Sequence, residues 1–406
     1  MSKRNENRPS YKDTKVGWIP TKWCVTYLKD IASINDDYLR DDTLCDQSFY
    51  YLTLSDVGNG IFLFPDNMIP YTNAPSRARR IFRKGDILLS MVRPNLKGIG
   101  YVNFNCDKFI CSTGFAVIRA RTNFHAKFLY HFLSSHETDV YFLKRVVGSN
   151  YPALNKSDVE NMPIIFPPLS EQQKIADILD TWDKAIELVG KQIEAKEKFK
   201  KGLMRQLLTG EMRFPGFNEK WELKKLGEAF IERNEKDPTL DLLSITADNG
   251  LIQRGDVGRK DTSNDDKSSY KVIMPGDIGY NTMRMWQGRS AVSNLRGIVS
   301  PAYTVVTPKE EQCVDFWGYL FKLPQIINLF YRYSQGLVSD TLNLKYSNFS
   351  KIKIQFPDYE EQKKIAGLLL NIDDEIKILN KKVITMQIQK QGLMQKLLTG
   401  EVRVKV

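Results

Sequence analysis

Apolar side chains recur in steps of four and three residues along two long segments of this chain. The first segment runs from Ile175 to Leu207 and the second from Ile365 to Leu397, and the residues beside the apolar positions are mostly charged. A narrow apolar stripe with this spacing predicts a helix that packs against one partner helix, as in a coiled coil. The predicted seam consists of Ile175, Leu179, Trp182, Ile186, Val189, Ile193, Leu203, Leu207, Ile365, Leu369, Ile372, Ile376, Leu379, Val383, Leu393 and Leu397.

Both segments carry the signals of a single uninterrupted helix. Each follows a proline, contains no internal proline and stops at a Thr-Gly-Glu sequence, where Gly210 or Gly400 can adopt the left-handed conformation that ends a helix. A helix of about 39 residues is roughly 58 Å long. The two seams most simply pair with each other, and the spacing alone leaves parallel and antiparallel packing open. Two long helices on separate globular cores are the alternative.

The two segments are copies of one sequence. Residues 164–213 align with residues 354–403 without a gap, at a constant offset of 190, and 22 of the 50 positions are identical. Both copies end in LLTGE. Identity at this level and at a fixed offset indicates an internal duplication.

The duplication extends faintly into the variable segment that precedes each helix. The tripeptide GDI occurs at residues 85–87 and 276–278, and Arg93 aligns with Arg284 a few residues later. Short strand-like stretches with turn residues between them come first in each variable segment, and a helix-like stretch follows. The sequence therefore predicts an α+β fold, in which two mixed α/β domains are separated by two long helices that form an intramolecular coiled coil, as a pseudo-twofold tandem repeat. The predicted boundaries are 1–163 for the first variable domain (1–13 being a disordered lead-in), 164–213 for the central helix, 214–353 for the second variable domain and 354–406 for the C-terminal helix.

Composition fits a globular protein with reduced thiols. The chain has 42% hydrophobic and 26% charged residues, no apolar run long enough for a membrane span, and no secretory signal at its start. Five scattered cysteines without a CxxC pair argue against disulfides or a zinc site and for a cytoplasmic location. His125, His131 and His136 are six and five residues apart, which does not place them on one helical face, so no metal site is predicted.

The net charge of +11 favours an acidic partner such as nucleic acid. DNA reading needs cationic groups for phosphates and forked or amide side chains for base edges. Such residues cluster in loops at matching positions of the two variable domains. The candidates are Arg77, Arg79, Arg80, Arg93, Asn95, Lys97, Lys144, Arg145, Asn150 and Tyr151 in the first domain, and Arg284, Trp286, Gln287, Arg289, Gln335 and Ser339 in the second.

Arg93 and Arg284 are the basic pair that the two diverged domains share. We therefore expect them to hold phosphate rather than to select a base. For the other candidates a solvated loop residue is the competing interpretation, and for Trp286 it is a buried core indole.

Motifs for catalysis are missing from the sequence. The FPPL sequence at Phe166 lacks the Asn/Asp-Pro-Pro-aromatic order that holds a target adenine, and no GxxxxGK[ST] phosphate loop occurs. No glycine-rich strand–turn–helix indicates bound S-adenosylmethionine. The sequence predicts neither an enzyme nor a cofactor.

The order of segments resembles the DNA specificity subunit of type I restriction-modification systems. The resemblance is carried by FPPLSEQQKIADIL and LLTGE in the first helix, GDI and SPAY in the second variable domain, and EEQKKIAGLLL and LLTGE in the second helix. It implies two target recognition domains that each read one half of a split DNA site. It also implies an antiparallel helix pair that acts as a spacer and docks methyltransferase subunits, and a subunit without catalytic activity. One departure is the sequence TGF at residues 113–115, where the second domain has PAY.

The expected function is that of a cytoplasmic subunit that reads an asymmetric bipartite site in double-stranded DNA. Two adenine-N6 methyltransferase subunits and the motor-nuclease subunits are the expected partners. Changing helix length by one turn, about 5.4 Å, should alter the DNA spacer by roughly one or two base pairs. Two other functions stay open at this point: a non-catalytic coiled-coil adaptor that binds protein, and a specificity module for a fused methyltransferase-nuclease.

Overall fold

A computed structural model of the chain describes residues 5–40, 47–146, 152–246, 250–258, 266–338 and 341–406. The chain divides into two compact units, Met1–Gly190 with Lys382–Val406, and Lys191–Lys381. Each unit contains one variable domain, the first part of the long helix that follows it, and the last part of the other long helix. Among the described residues, no helix combines the length and apolarity that a membrane crossing requires.

The first unit is a mixed α/β domain. Its helices are α1 (Leu28–Ile31), α2 (Ala126–Leu133), α3 (His136–Leu143), α4 (Lys156–Glu160) and the beginning of α5 (Leu169–Leu207). Its strands are β1 (Tyr11–Lys12), β2 (Ile19–Pro20), β3 (Cys24–Tyr27), β4 (Ala32–Ile34), β5 (Ser48–Leu52), β6 (Val57–Gly58), β7 (Ile61–Phe62), β8 (Ile69–Pro70), β9 (Ala78–Ile81), β10 (Ile87–Ser90), β11 (Ile99–Tyr101), β12 (Phe109–Ser112), β13 (Phe115–Ala120) and β14 (Pro163–Phe166).

Two four-stranded sheets form the centre of the first unit, in the orders β11-β10-β13-β4 and β8-β5-β12-β9. Strand β10 is buried at all four positions because alternate side chains enter two different cores. Ile87 and Leu89 pack with α2, α3 and α5, whereas Leu88 packs with Phe115 and Val117 on the opposite face. The strand that leads into α5, β14, pairs with β3 and so places the start of α5 beside Trp23.

The second unit repeats this arrangement, with a four-stranded sheet of order β16-β23-β20-β21 at its centre. Its helices are the end of α5, then α6 (Leu226–Ala229), α7 (Val314–Leu320), α8 (Pro324–Tyr333), α9 (Tyr346–Phe349) and the beginning of α10 (Tyr359–Leu398). Its strands are β15 (Glu222–Lys225), β16 (Phe230–Glu232), β17 (Leu243–Ile245), β18 (Leu251–Gln253), β19 (Lys271–Ile273), β20 (Ile278–Asn281), β21 (Ser290–Val292), β22 (Gly297–Val299), β23 (Tyr303–Pro308) and β24 (Lys353–Phe356).

Two local expectations differ from the structure. The helix-like stretch of the second variable segment, residues 314–330, was predicted as one helix. It is broken into α7 and α8, because Pro324 holds Leu323 in an extended conformation and starts a new helix. The lead-in was expected to be disordered, yet β1 pairs with β2 and the Tyr11 hydroxyl donates to the carbonyl oxygen of Gly400 at 2.5 Å. The turn that ends α10 thus supplies a partner for this segment.

The long helices pack antiparallel in both units. In the second unit, Lys196 of α5 pairs with Glu375 of α10, and Lys200 pairs with Asp373 at 2.5 Å, so partner numbers fall as α5 numbers rise. In the first unit Asp183 pairs with Lys390. All the predicted seam residues are buried or half-buried in the structure. This arrangement confirms the predicted fold class and the antiparallel direction that the resemblance implied.

Candidate nucleic-acid interface

Equivalent loops follow the central strands β10 and β20. Arg93 stands directly before a single 3-10 turn at Pro94–Leu96, and Arg284 stands directly before the matching turn at Met285–Gln287. In both turns the N–H of the third residue donates to the carbonyl oxygen of the arginine at 2.9 Å. Both arginines are exposed. The two arginines therefore begin equivalent turns, although Arg93 itself has a left-handed backbone, with φ of 50°, and Arg284 has φ of -130°.

The same hydrogen bond joins each loop to a later turn, which lies between β12 and β13 in the first unit and between β22 and β23 in the second. The N–H of Met91 donates to the carbonyl oxygen of Gly114 at 2.9 Å, and that of Thr282 donates to Ala302 at 2.9 Å. The first turn contains the TGF sequence and the second contains PAY. The departure from the family pattern at Gly114 thus leaves this backbone connection unchanged.

Several predicted basic residues of the first variable domain meet along this edge. The carbonyl oxygen of Arg77 accepts a hydrogen bond from the N–H of Thr113 at 2.8 Å, which places this exposed arginine beside the turn. The N–H of Arg93 donates to the carbonyl oxygen of Pro152 at 2.7 Å, so the loop also joins the segment that follows residue 151. Asn95 is exposed within the 3-10 turn. The edge therefore presents cationic and amide side chains together.

Helix α3 packs against the same loop. Lys97 forms an ion pair with Asp139 of α3, with 2.9 Å between Nζ and Oδ2. Lys144 and Arg145 are exposed directly after α3, and the Arg145 guanidinium lies 3.6 Å from the ring centre of Tyr141. Lys97 is thus paired with a carboxylate, Arg145 packs on an aromatic ring, and Lys144 is exposed at the end of the same helix.

Arg79 and Arg80 of strand β9 are both predicted DNA contacts, but their surroundings differ. Residues two apart in a strand lie on the same face, so Arg80 shares a face with the fully buried Ala78. The Nε atom of Arg80 is buried there and has no hydrogen-bond partner. Burial lowers the pKa of Arg80. Arg79 lies over the ring of Tyr71 at 5.0 Å. Both arginines are half-buried, and their predicted contacts with DNA remain a prediction.

The matching loop of the second variable domain presents Arg284, Gln287 and Arg289 to solvent. Trp286 is half-buried at the surface, donates from Nε1 to the carbonyl oxygen of Met283 at 3.0 Å, and packs edge-on against Tyr331. It is therefore not a core indole.

Gln335 lies after α8 and exchanges two backbone hydrogen bonds of 2.8 Å with Asn343. The next residue, Leu344, donates its N–H to the carbonyl oxygen of Thr282 in the loop. The predicted candidates Asn150, Tyr151 and Ser339 lie outside the described residues.

Lys322, between α7 and α8, contacts this loop, and the sequence did not reveal this contact. Its Nζ donates to the carbonyl oxygens of Gly288 and Ser290 at 2.8 and 2.5 Å, although its stem is exposed to solvent. The surrounding protein lowers the pKa of Lys322 to about 8, and repulsion from Arg289 adds to this effect. A lysine between two helices carries no sequence signal, because only the tertiary fold brings it to the loop.

A buried carboxylate anchors the beginning of each long helix. Glu361 is fully buried and accepts hydrogen bonds from Arg213 Nε at 2.5 Å, Arg213 Nη2 at 2.7 Å and Trp221 Nε1 at 3.1 Å. Arg213 lies just beyond the end of α5 and Trp221 lies near the start of the variable domain. One carboxylate therefore ties together three separate parts of the second unit.

Glu171 makes the equivalent contacts in the first unit. It accepts from Arg403 Nε at 2.9 Å and from Trp23 Nε1 at 3.3 Å. The neighbouring Gln172 and Gln362 are also buried, and their side-chain oxygens accept the backbone N–H groups that begin α2 and α7, at 2.9 and 3.0 Å. The Glu-Gln pair shared by the two copies was the available sequence signal for these anchors.

His131, Asp180 and Asp183 could hold a metal ion by distance, since one ligand atom from each lies within 4.8 Å of the others. Both carboxylates, however, already pair with ammonium groups, Asp180 with Lys127 and Asp183 with Lys390. His131 Nε2 lies 2.9 Å from Asp180 Oδ1. Two adjacent cations make this group a hydrogen-bonded ion network rather than a cation site.

The sequence profile of the type I restriction modification DNA specificity domain matches residues 20–197 and 218–387. The chain belongs to this family. Each match covers one variable domain and most of the helix that follows it, so the family's unit occurs twice in this chain.

Relatives and solved structures of the specificity-domain family agree with this assignment. A putative type I restriction enzyme MjaX specificity subunit of Methanocaldococcus jannaschii is 27% identical over 98% of this chain and 97% of that protein. The HindI specificity subunit of Haemophilus influenzae is 32% identical over 34% of this chain and 30% of that protein.

Two solved structures share the fold. One, from work on complex assembly and conformational transition of the type I R-M system, has a TM-score of 0.62 at 22% identity and covers 95% of this chain and 99% of that chain. The other is the type I restriction-modification S subunit from M. genitalium, with a TM-score of 0.54 at 15% identity, covering 92% of this chain and 96% of that chain.

Proposed function

We propose that this chain is the non-catalytic, DNA-reading subunit of a cytoplasmic type I restriction-modification complex. In this function each variable domain places its edge loop against one half of an asymmetric, bipartite site in double-stranded DNA. Arg93 and Arg284 hold phosphates at equivalent positions, and their neighbours select bases.

The repeated loop geometry carries this proposal. The two loops share an arginine, the hydrogen bond that closes the 3-10 turn and the bond to the Gly114 or Ala302 carbonyl oxygen. The residues that follow the arginine are nevertheless Pro-Asn-Leu-Lys in one loop and Met-Trp-Gln-Gly in the other. A shared turn that carries different side chains suits two sites that hold the same phosphate backbone and read different bases. Unlike half-sites are the consequence.

Methyl transfer and cleavage belong to partner chains in this proposal. Two adenine-N6 methyltransferase subunits dock on the repeated helical segments, one for each half, and motor-nuclease subunits join for restriction. The helices α5 and α10 fix the number of unread base pairs between the half-sites, since each is uninterrupted over 39 or 40 residues.

A genome-wide methylation map tests the proposal. The chain and its methyltransferase partner are expressed in a bacterial strain without adenine methylation, and N6-methyladenine is mapped. We expect one asymmetric motif in two parts with a fixed gap, lost when the chain is omitted. Methylation without a split motif, or equal methylation without the chain, contradicts the proposal and favours a protein adaptor.

Binding assays test the arginines. Arg93→Ala and Arg284→Ala should each weaken binding of the complex to DNA about uniformly across sequences and reduce the salt slope by about one. Gel shifts at several stated salt concentrations measure both quantities, and Lys309→Met, at an exposed lysine that donates to the carbonyl oxygen of Gly227, is the matched control. Unchanged affinity and slope would remove these arginines from the interface.

A further inference from the structure

The second edge loop is held by the connection between α7 and α8. Met285 is fully buried in the core, and a Cβ added at Gly288 would stand 2.8 Å from Ile327 Cδ1 of α8. The two carbonyl oxygens that Lys322 bridges belong to Gly288 and Ser290, directly after the 3-10 turn. The ammonium group therefore holds the loop backbone on both sides of the exposed Arg289.

An ammonium group is suited to this position. Both carbonyl dipoles turn towards a single positive charge, and a hydrogen bond to a charged group contributes more than a neutral one. Because the two oxygens belong to residues on either side of Arg289, their orientation fixes the backbone of a predicted DNA-contacting residue. Lys322 itself needs no contact with DNA to influence how the loop meets it.

The first unit fixes its loop in a different way. Ser134 stands at the corresponding place after α2, and its hydroxyl donates to the carbonyl oxygen of Tyr130 at 2.8 Å, within its own helix. There the loop is instead joined to α3 by the ion pair between Lys97 and Asp139. Any effect of Lys322 should therefore be confined to one half of the target.

We propose that Lys322 is a positioning residue that sets the selectivity of the second variable domain for its half-site, by fixing the backbone around Arg289. This inference rests on the proposed DNA-reading function. The methylation map of the unaltered protein tests that function separately, so failure of the function and failure of the inference give different results.

The test compares Lys322→Met with Lys322→Arg in the complex with the methyltransferase partner. The probes are duplexes with the mapped motif, and duplexes with one base pair changed in the first or second half-site. For Lys322→Met, discrimination at the second half-site should fall about tenfold, which corresponds to losing roughly one hydrogen bond to a charged group. Discrimination at the first half-site should stay unchanged.

Lys322→Arg keeps the charge and the donors and should recover most of the lost discrimination. Lys309→Met, the control used above, should leave both half-sites unaffected. The inference is overturned by unchanged discrimination in Lys322→Met, by an equal loss at both half-sites, or by a loss that Lys322→Arg does not recover.

Discussion

The turn before the central strand holds a buried aspartate in both units, but the arginine that pairs with this aspartate comes from a different part of the chain in each unit. In the first unit, Arg119 of β13 donates from Nε and Nη2 to Asp86, both at 2.8 Å. In the second unit, Arg233 after β16 donates to Asp277 at 2.7 and 3.1 Å, and the β23 position that matches Arg119 is Thr307. Thr307 still donates its hydroxyl to the same aspartate at 2.7 Å.

The anchors at the starts of the long helices are conserved between the units in a stricter way. Glu171 and Glu361 each take an arginine from just beyond the end of the other long helix, and each arginine stands at the same position of the repeat. A buried carboxylate needs a cation in either case. Within the variable domains that cation comes from different positions in the two units, whereas at the starts of the long helices it comes from the same repeat position, Arg213 or Arg403.

Removing the arginine that pairs with Glu361 should cause the largest loss of stability. Arg213→Ala leaves Glu361 buried without its guanidinium, so the free energy of unfolding of the second unit should fall by about 3–5 kcal/mol. Hydrogen exchange measured by mass spectrometry resolves the loss unit by unit. The control is Arg205→Ala, at an exposed position on α5.

The equivalent substitution in the first unit tests whether the two anchors stabilise their units in the same way. Arg403→Ala should act in the same direction but less strongly, because the Arg403 side chain is 36% exposed against 24% for Arg213. A loss below 1 kcal/mol for Arg213→Ala would contradict the anchoring role.

Moving the arginine that pairs with Asp277 from position 233 to position 307 should change the stability of the second unit less. Arg233→Asn should destabilise the second unit by about 3 kcal/mol, because it leaves Asp277 buried with only neutral donors. Adding Thr307→Arg, which imitates Arg119, should restore at least half of this loss. Urea unfolding of the single and double variants measures the coupling. Additive losses in the double variant would show that the two positions are not interchangeable sources.

The smallest predicted effect is a difference in pH dependence between the units. His131 is fully buried, and burial lowers its pKa although Asp180 opposes this. Tyr319 holds the matching position in the second unit, and burial together with the bond that it donates to Asp373 raises its pKa. As pH falls through about 6.5, the unfolded chain binds a proton that folded His131 does not.

The first unit should therefore lose stability on the order of 1 kcal/mol between pH 7 and 5. His131→Tyr, which imitates the second unit, should abolish this loss. Hydrogen exchange of peptides covering α2, compared between the two proteins at each pH, measures it. Equal protection of both proteins at pH 5 would contradict the assignment of the loss to His131.

The sequence predicted the family, the α+β class, the duplication and the long helices, and these are confirmed. It also aligned Arg93 with Arg284, whose loops share their hydrogen bonds. It did not reveal Lys322, the exchange of guanidinium source or the buried Nε atom of Arg80, because these depend on contacts between residues far apart in the chain. Periodicity reports only which face a helix buries.

By itself, the sequence determined that one unit occurs twice and that each copy ends in a helix with a narrow apolar seam. The tertiary structure decided how the polar residues retained in both copies are paired. Asp183 and Lys200 are about 25 Å apart along one helix at 1.5 Å per residue, so they cannot meet within a copy. Parallel copies in register would place each aspartate beside the other copy's aspartate, whereas antiparallel packing gives each aspartate a lysine, as Lys390 and Lys200 show.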